Sequence, residues 1–534
     1  MAATDNAAEQ VAHIAEKIRA GKTTLGIEFG STRIKAVLID DNFQTIASGD
    51  YSWASHLEDG LWSYTTEEIW GGLQSAYASM ANDVETAYGE KLTHVGHIGF
   101  SAMMHGYLPF DKNGRQLAGF RTWRNTTTGE AAGKLTELFG FNIPQRWSIA
   151  HLYQAMLNGE AHTTQIDYLT TLAGYVHWRL TGKRMLGIGD CSGMFPIDSN
   201  LLDYDAGMLQ KFRTLTGVDL RAILPQVLPA GADAGVLTEE GAKLLDPSGD
   251  LRPGIPFCPP EGDAGTGMTA TNAVAPRTGN VSAGTSIFAM VVLEKPLSKV
   301  YQEIDMVTTP SGKPVAMVHC NNCTNDMNAW VGLLGETAKL FGADVSTGEL
   351  FTKLYQKSLE GDADCSGILT YNYMAGEGVT HLDEGRPMVV RKPESQFTLA
   401  NFLRSQLYAT MSTLKLGMDI LAEEQVAIDS LTGHGGLFKT PVVGQKYMAA
   451  ACRAPVTCME SAGEGGPYGM ALLASYLVQK KDGQTLEQYL ETEVFADVKR
   501  TTLAPDPEDA AGFDRYLGWY RSALAAETAA VNAF

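Results

Sequence analysis

The stretch Leu25-Gly-Ile-Glu-Phe-Gly-Ser-Thr-Arg-Ile-Lys-Ala-Val-Leu-Ile39 decides the fold of this chain. Two short apolar segments flank the turn Gly30-Ser31-Thr32, and this pattern predicts a β-hairpin. A turn of glycine and hydroxyl residues presents its backbone N–H groups without a bulky side chain in the way, so it can bind phosphate. We therefore expect this turn to contact a phosphate group.

A second hairpin of the same kind is predicted in the other half of the chain, at Val281-Ser-Ala-Gly-Thr-Ser-Ile-Phe-Ala-Met-Val-Val292. Its turn consists of Gly284, Thr285 and Ser286, which again suit phosphate. Two such hairpins, one in each half, indicate two related domains that face one cleft. Neither turn matches the pattern G-x-x-x-x-G-K-[ST], so a P-loop nucleotide site is not supported.

The segments between and after the hairpins alternate between strand and helix patterns. A capping box at Thr65-Thr-Glu-Glu68 predicts the start of a helix, and residues 94–100 form an apolar run typical of a buried strand. Later, a helix over 402–424 is expected to lead into a strand at 426–431 and a glycine-rich turn at 432–439. This alternation predicts an α/β protein.

The bulk properties restrict the possible partners. A chain of 534 residues is expected to form at least two domains. Its net charge of -20 argues against a general nucleic-acid or anionic-membrane binder, which would need a basic surface. No apolar run is long enough to span a membrane, no signal peptide is recognised, and the seven cysteines are scattered, so a cytoplasmic location is predicted. Cys320 and Cys323 are spaced like a pair of zinc ligands, but a structural zinc site needs about four ligands and no second pair appears in the sequence. A zinc site is therefore not predicted.

Residues 1–24 precede the first predicted strand. Val11, Ile14 and Ile18 recur at helical spacing, which predicts a short amphipathic helix docked on the body of the protein. Acidic residues in this segment argue against a mitochondrial presequence.

A candidate catalytic carboxylate lies in the segment Glu261-Gly-Asp-Ala-Gly-Thr-Gly267. Glycines on both sides of Asp263 allow a substrate to come close, and a carboxylate there can accept the proton of an attacking hydroxyl. By itself, an aspartate beside glycine is more often a turn former. Phosphoryl transfer would also require a phosphate-binding turn and a divalent metal near carboxylates.

In their order and spacing, these segments resemble the FGGY family of carbohydrate kinases over nearly the whole chain from residue 25. That family has a D-x-G-[ST] hairpin, a G-D-x-x-x-G segment with the catalytic aspartate, a G-T-S turn and a glycine-rich adenosine turn. The corresponding residues here are Glu28, Gly30 and Ser31; Gly262, Asp263 and Gly267; Gly284, Thr285 and Ser286; and Gly433, Gly435 and Gly436.

Three further segments resemble sugar-site motifs of that family. Ser101-Ala-Met-Met-His-Gly106 is similar to the S-x-Q-M-H-G segment of xylulose kinases, which implies that Met104 and His105 contact the sugar. The alternative is a core methionine and a structural histidine. Trp123 and Asn125 stand where the family has W-x-D, so they are predicted to line the sugar pocket. Gly189-Asp-Cys-Ser-Gly193 resembles the T-D-x-S segment and is predicted to be structural.

The sequence also departs from the family pattern. Glu28 replaces the aspartate of the first hairpin, Met103 the glutamine of Q-M-H-G, Asn125 the acid of W-x-D, and Ala264 the polar residue after the catalytic aspartate. Most of these changes fall on the sugar side, whereas the nucleotide segments are better kept. The transfer chemistry is therefore expected to be intact, and the choice of sugar stays open.

The resemblance implies two actin-like, ribonuclease H-like domains around a central cleft. They are expected at residues 25–255, which carry the sugar site, and 256–534, which carry the base and the adenosine site. ATP and Mg²⁺ are the implied cofactors, with Glu28 near the metal and Asp263 as the base. The implied ATP contacts are Gly30, Ser31, Thr32, Gly284, Thr285, Ser286, Gly435, Gly436 and Lys439.

The expected reaction is phosphorylation of a ketopentose, either D-xylulose or L-ribulose, by ATP. Other acceptors of the same class are a ketohexose or gluconate, whereas glycerol fits less well because Met104 and His105 replace the Arg-Glu pair of glycerol kinases. A different class of function is an actin-like, ATP-switched binding or sensor protein. A homodimer is the default assembly for such enzymes.

Overall fold

A computed structural model describes residues 2–460 and 465–533, with the side chains described from residue 8 onward. The chain forms two compact units. The first consists of residues 1–274, 306–315 and 464–497, and the second of residues 275–305, 316–463 and 498–534. Within the described ranges, no helix is both long and apolar enough to cross a membrane.

The α-helices of the described residues are distributed over both compact units. They are α1 Ala2–Arg19, α2 Thr66–Tyr88, α3 Gly129–Phe139, α4 Ser148–Leu157, α5 Leu172–Thr181, α6 Ile188–Cys191, α7 Ala206–Thr216, α8 Leu220–Ile223, α9 Glu239–Leu245, α10 Asp263–Ala270, α11 Asn325–Leu340, α12 Thr347–Ser358, α13 Leu399–Glu423, α14 Val443–Cys452, α15 Gly466–Gln479, α16 Leu486–Tyr489 and α17 Pro507–Ala533.

The strands form a five-stranded sheet, a seven-stranded sheet and several two-stranded sheets. They are β1 Thr23–Phe29, β2 Arg33–Asp40, β3 Thr45–Ser52, β4 His56–Glu58, β5 Leu61–Ser63, β6 His97–Ala102, β7 Leu108–Phe110, β8 Tyr168–Thr170, β9 Met185–Gly187, β10 Ile197–Asp198, β11 Asp203–Tyr204, β12 Gln226–Leu228, β13 Glu261–Gly262, β14 Thr278–Ala283, β15 Ile287–Val292, β16 Ile304–Thr308, β17 Pro314–Cys320, β18 Ile368–Tyr371, β19 Met388–Arg391, β20 Ser430–His434, β21 Val456–Met459 and β22 Arg500–Leu503.

The first predicted hairpin is confirmed as β1 and β2 of the five-stranded sheet. The two strands pair antiparallel, and Gly30 N donates a hydrogen bond to Arg33 O across the turn. The sheet order is β13-β6-β1-β2-β3, and β6 runs parallel to both β1 and β13. The predicted capping box is also confirmed, because Thr65 and Glu68 exchange side-chain-to-backbone hydrogen bonds at the start of α2.

The amino-terminal segment is helical over Ala2–Arg19, as the spacing of its apolar residues predicts. Its docked face is narrower than expected, since Val11 is 42% exposed whereas Ala15 and Ile18 are buried. Lys17 is buried with them and forms ion pairs with Asp40 and Asp41 at the end of β2. The helix is thus fixed through a charged contact that the apolar pattern did not reveal.

The segment after residue 256, expected to open the second domain, lies within the first compact unit. Its strand β13 pairs with β6, and helix α10 packs on α15, so both hold the segment in that unit. The compact units and the family domains are different divisions of the chain, and the family boundary at 256 stays a prediction.

In the second unit, the second predicted hairpin is confirmed as β14 and β15, which pair antiparallel. They belong to the seven-stranded sheet of order β16-β17-β15-β14-β20-β21-β22. The strand expected at 426–431 lies instead at Ser430–His434, because residues 430–434 pair in parallel with 278–282 of β14. The first residues assigned to the glycine-rich turn are therefore part of the strand. The predicted α/β class with mixed sheets is confirmed.

Candidate active site

Asp263 is the first residue of α10 and directly follows β13. The parallel pairing of β13 with β6 brings Gly262 opposite Ala102, so the chain that leaves β6 passes close to Asp263. Met104 N donates a hydrogen bond of 3.1 Å to Asp263 Oδ1. Sheet pairing thus places the candidate base and the Met104-His105 segment at one edge of the sheet.

The Asp263 side chain is exposed, yet the protein atoms around it displace enough water to raise the pKa of its carboxyl above the usual range. Hydrogen bonds from the amides of Met104 and Ala264 act in the opposite direction on this pKa. A carboxylate with a raised pKa is a stronger proton acceptor than one on an open surface, and it remains reachable by a substrate.

Glu28 lies near the end of β1, opposite Ser101 of β6. Its Oε2 accepts hydrogen bonds from Ser101 Oγ at 3.2 Å and from Thr266 Oγ1 at 3.1 Å. Burial and the nearby Asp263 carboxylate raise the pKa of Glu28 to about 7. Sequence analysis missed both hydroxyl partners, although Thr266 lies three residues after Asp263 and hence on the same side of α10.

The Glu28 and Asp263 carboxyl groups are close enough to repel each other, and a divalent cation would relieve that repulsion. Among residues 8–460 and 465–533, no group of three or more His, Cys, Asp or Glu side chains forms a closed metal site. Mg²⁺ commonly binds to only one or two carboxylates and takes its other ligands from water and phosphate. The residues present therefore fit a Mg²⁺ ion that is shared with a nucleotide.

Met104 and His105 are both buried, and His105 has a positive φ of 70°. His105 Nδ1 lies 3.1 Å from Gly193 O, which can only accept, so we assign the ring proton to Nδ1. Burial, with a contribution from the positive charge of Arg146, lowers the pKa of His105 to about 3. The ring is therefore neutral at physiological pH, and Nε2 is a hydrogen-bond acceptor.

Trp123 and Asn125 have different surroundings. Trp123 is 38% exposed, and its Nε1 donates to Ser31 Oγ in the turn of the first hairpin. Asn125 is buried; its Oδ1 accepts from Trp62 N, and its amide donates to the Trp62 and Thr122 carbonyls. Both amide hydrogens of Asn125 are thus used within the protein, whereas the Trp123 side chain is partly exposed. Their contacts with sugar stay predictions.

The segment from Gly189 to Gly193 is built around a buried carboxylate that sequence analysis missed. Glu261 accepts hydrogen bonds from the backbone N–H groups of Gly189, Asp190 and Gly262. Burial and the neighbouring Asp190 raise the pKa of Glu261 to about 8. The His105 ring donates to Gly193 O in the same segment. Glu261 and the segment 189–193 therefore hold His105, the candidate sugar-binding residue, in place.

In the second unit, two glycine-containing turns lie side by side. Strands β14 and β20 are parallel neighbours, so the turn at Gly284-Thr285-Ser286 and the turn at Gly435-Gly436 follow the same edge of the sheet. Gly435 has φ 97° and approaches the Ala283 carbonyl. Thr285 and Lys439 are exposed. The structure therefore brings together these residues, which were assigned to ATP from distant parts of the chain.

The loop after β17 supports the first of these turns. Cys323 N donates to Thr285 O, and Thr324 donates to Gly284 O through both its backbone N–H and its hydroxyl. Glu377 Oε2 in turn accepts from the backbone N–H of Asn321 and from both the backbone and the side chain of Asn322. Buried Glu377 thus anchors the loop that supports the Gly284-Thr285-Ser286 turn.

Glu377→Gln should flatten the pH dependence of stability. Burial raises the pKa of Glu377 from 4.5 to about 7, against the hydrogen bonds from Asn322 and Asn321. Between these values the folded state holds a proton that the unfolded state has lost, so stability falls as pH rises. The wild type should lose at most about 3 kcal/mol through this group. Glutamine keeps one side-chain oxygen to accept the bonds from Asn321 and Asn322 and does not titrate.

Melting temperatures of the wild type and E377Q at pH 5, 6, 7 and 8 test this expectation. The surface variant Glu360→Gln, which removes an exposed carboxylate paired with Lys357, should keep the wild-type slope. If the melting temperatures of the wild type and E377Q change equally with pH, Glu377 is already ionised in the folded protein over this pH range.

Two family models match the chain. The N-terminal domain of the FGGY family of carbohydrate kinases matches residues 23–267, and the C-terminal domain of the same family matches residues 279–478. The fold and these matches define a carbohydrate kinase, a phosphotransferase with an alcohol group as acceptor. The chain belongs to the FGGY family.

Individual relatives are distant. The xylulose kinase of Haemophilus influenzae is 22% identical over 457 residues, which are 83% of this chain and 89% of the relative. The solved structure of a ligand-bound xylulose kinase from Lactobacillus acidophilus has a TM-score of 0.77 at 16% identity, and it covers 94% of this chain and 98% of its own. A gluconate kinase from the same organism has a TM-score of 0.75 at 16% identity with the same coverage. At such identities, the structural likeness shows the fold alone.

Proposed function

We propose that this FGGY kinase transfers the γ-phosphoryl group of ATP to a hydroxyl of a ketopentose, either D-xylulose or L-ribulose. The observation that carries the proposal is the hydrogen bond from Met104 N to Asp263 Oδ1, which fixes the candidate base beside the Met104-His105 segment. Similarity to xylulose kinases over most of the chain favours a ketose as the acceptor.

In this proposal, the first unit binds and activates the sugar. His105 Nε2 accepts a hydrogen bond from a sugar hydroxyl, since its Nδ1 proton is held by Gly193 O. Trp123 offers an exposed aromatic face to the apolar side of the sugar ring or chain. Asp263 accepts the proton of the attacking hydroxyl as the oxygen bonds to phosphorus.

The nucleotide contacts are assigned to the hairpin turns. Gly284, Thr285 and Ser286 bind phosphate through backbone N–H groups, Gly435 and Gly436 pack on the adenosine, and Lys439 is close in sequence to that turn. Gly30, Ser31 and Thr32 are assigned to phosphate in the same way. Glu28, oriented by Ser101 and Thr266, would hold Mg²⁺. When bound, Mg²⁺ neutralises charge on the phosphate oxygens during transfer.

A coupled assay of ADP release with Mg·ATP tests the proposal on a panel of acceptors: D-xylulose, L-ribulose, D-ribulose, L-xylulose, D-fructose, gluconate and glycerol. We expect selective turnover of D-xylulose or L-ribulose. Turnover of gluconate or fructose alone would keep Asp263 as the base and reject the ketopentose. ATP binding without sugar-dependent ADP release from any acceptor would instead support an ATP-switched binding or sensor protein.

A further inference from the structure

The Glu28 carboxyl group lies directly against the first residue of α15. A β-carbon added at Gly466 would stand 1.6 Å from Glu28 Oε2 and 2.3 Å from its Cδ. Carbon and oxygen atoms that are not bonded cannot approach so closely, so only glycine fits at position 466 while Glu28 keeps its place. Gly466 lies about 440 residues after Glu28 in sequence, and α15 brings it there by packing on β1.

The backbone of Gly466 does not itself require glycine. Its φ lies outside the left-handed region, in contrast to Gly465 with φ 76°, and alanine is the best helix former. A methyl group at 466 would therefore act through its contact with Glu28 and not through backbone strain or helix propensity.

Glu28 cannot move aside without losing contacts. Its Oε2 accepts hydrogen bonds from Ser101 Oγ and Thr266 Oγ1, and these two residues belong to β6 and α10. Swinging the carboxylate away from Gly466 would break both bonds. The buried Ser101 hydroxyl would then lose the acceptor it has in Glu28, whereas Thr266 Oγ1 could still donate to Asp263 O at 3.1 Å. The carboxylate is thus held on three sides, by a strand, a helix and the start of a second helix.

We propose that Gly466 is a positioning residue for Glu28: with Ser101 and Thr266, it forms a seat that fits the long glutamate side chain and fixes the direction of its carboxylate. The consequence for Mg²⁺ rests on the proposed function, which assigns Glu28 to the metal. The seat itself is a property of the fold and does not depend on that assignment. A shorter aspartate at position 28 would draw the carboxylate back from Gly466 and leave room for a methyl group.

The test is a double-mutant cycle of Gly466→Ala with Glu28→Asp. G466A should lower the melting temperature of the ligand-free protein and weaken Mg²⁺-dependent binding of ADP by about tenfold or more. The double variant E28D/G466A should melt close to E28D alone and recover most of that binding, because aspartate removes the overlap. Differential scanning fluorimetry measures the melting temperature, and calorimetric titration with ADP at several Mg²⁺ concentrations measures the binding.

A matched control lies one turn further along α15. A β-carbon at Gly469 would stand 2.0 Å from the main-chain oxygen of Thr266, and its three nearest atoms belong to Thr266 and Ala270 and not to residue 28. G469A should therefore also lower the melting temperature, and E28D should give no rescue in the variant E28D/G469A. The proposal predicts that E28D restores the melting temperature of G466A and does not restore that of G469A.

Three results would overturn the proposal: G466A that matches the wild type in both measurements, E28D/G466A that is as unstable as G466A, or equal rescue of G469A. If G466A does not fold, soluble yields of E28D/G466A and E28D decide the question in the same way. In a further outcome, E28D restores the melting temperature of G466A, but neither the wild type nor any variant binds ADP in a Mg²⁺-dependent way. The positioning role of Gly466 would then stand, and the assignment of Glu28 to Mg²⁺ in the proposed function would be rejected.

Discussion

Replacing Asp263 by asparagine should reduce sugar-dependent turnover by about 10²- to 10⁴-fold while ATP binding stays close to that of the wild type. Asparagine can still accept the hydrogen bond from Met104 N, so the local fold is kept. It cannot accept the proton of an attacking hydroxyl, and that loss alone is expected to slow the transfer. Steady-state kinetics and calorimetric titration with ATP measure the two quantities separately.

The control for this variant is Asp250→Asn, which makes the same chemical change in a surface ion pair with Lys91. Turnover of D250N should stay within about twofold of the wild type, because exposed pairs contribute little. A wild-type rate for D263N would place the base elsewhere. Loss of ATP binding together with a lower melting temperature would instead make Asp263 a structural residue.

The second large effect is expected at Gly435, where alanine should weaken ATP binding by at least about tenfold and destabilise the protein by about 2–4 kcal/mol. Gly435 has φ 97°, and a β-carbon there would stand 2.4 Å from the Ala283 carbonyl oxygen. Ala283 is the last residue of β14, immediately before the turn Gly284-Thr285-Ser286. The added methyl group would push the Gly435-Gly436 turn and the Gly284-Thr285-Ser286 turn apart, so we expect lower stability and, if these turns bind the nucleotide as proposed, weaker ATP binding.

The control variant is Gly342→Ala, which introduces a side chain at a positive φ without the clash that is expected at Gly435. Gly342 has φ 80°, and among the described residues no atom outside its immediate neighbours comes within 4 Å of a β-carbon there. G342A should cost about 1–2 kcal/mol and leave ATP binding unchanged. If G435A binds ATP as G342A does, the turn at Gly435 has no part in the nucleotide site.

Much of the framework could be predicted because its signals are local. The two hairpins and the capping box at Thr65 depend on residues within a few positions of each other, and all three are confirmed. Strand β20 was placed four residues too early because its position depends on pairing with β14, about 150 residues away in sequence. The docking of α1 likewise depends on Lys17 and Asp40, a contact between separate elements.

The site shows the same division between local and distant signals. Asp263 and the Met104-His105 segment stand in recognisable motifs, and the structure joins them through one hydrogen bond. Ser101 and Thr266 were missed as partners of Glu28 because they lie 73 and 238 residues away from it. Gly466 could not be found from local pattern at all, since its requirement for glycine comes from a side chain at the other end of the chain.

The choice of sugar was not predictable from the sequence for a physical reason. Asn125, which differs from the family pattern, is held by hydrogen bonds with main-chain atoms of Trp62, so its type is explained by local structure and does not identify a substrate. A ketopentose and a gluconate would both present several hydroxyl groups to His105 and Asp263. Only a measurement with defined acceptors distinguishes them.

The most direct test of the central claim follows the phosphorus atom itself. Purified protein is incubated with Mg·ATP and either D-xylulose or L-ribulose, and ³¹P NMR records the products for the wild type and D263N. We predict that wild-type protein converts ATP to ADP and an equal amount of a sugar phosphate monoester with at least one of the two ketopentoses, and that D263N gives neither on the same timescale. Wild-type protein that binds ATP but forms no sugar phosphate from either ketopentose would contradict this account.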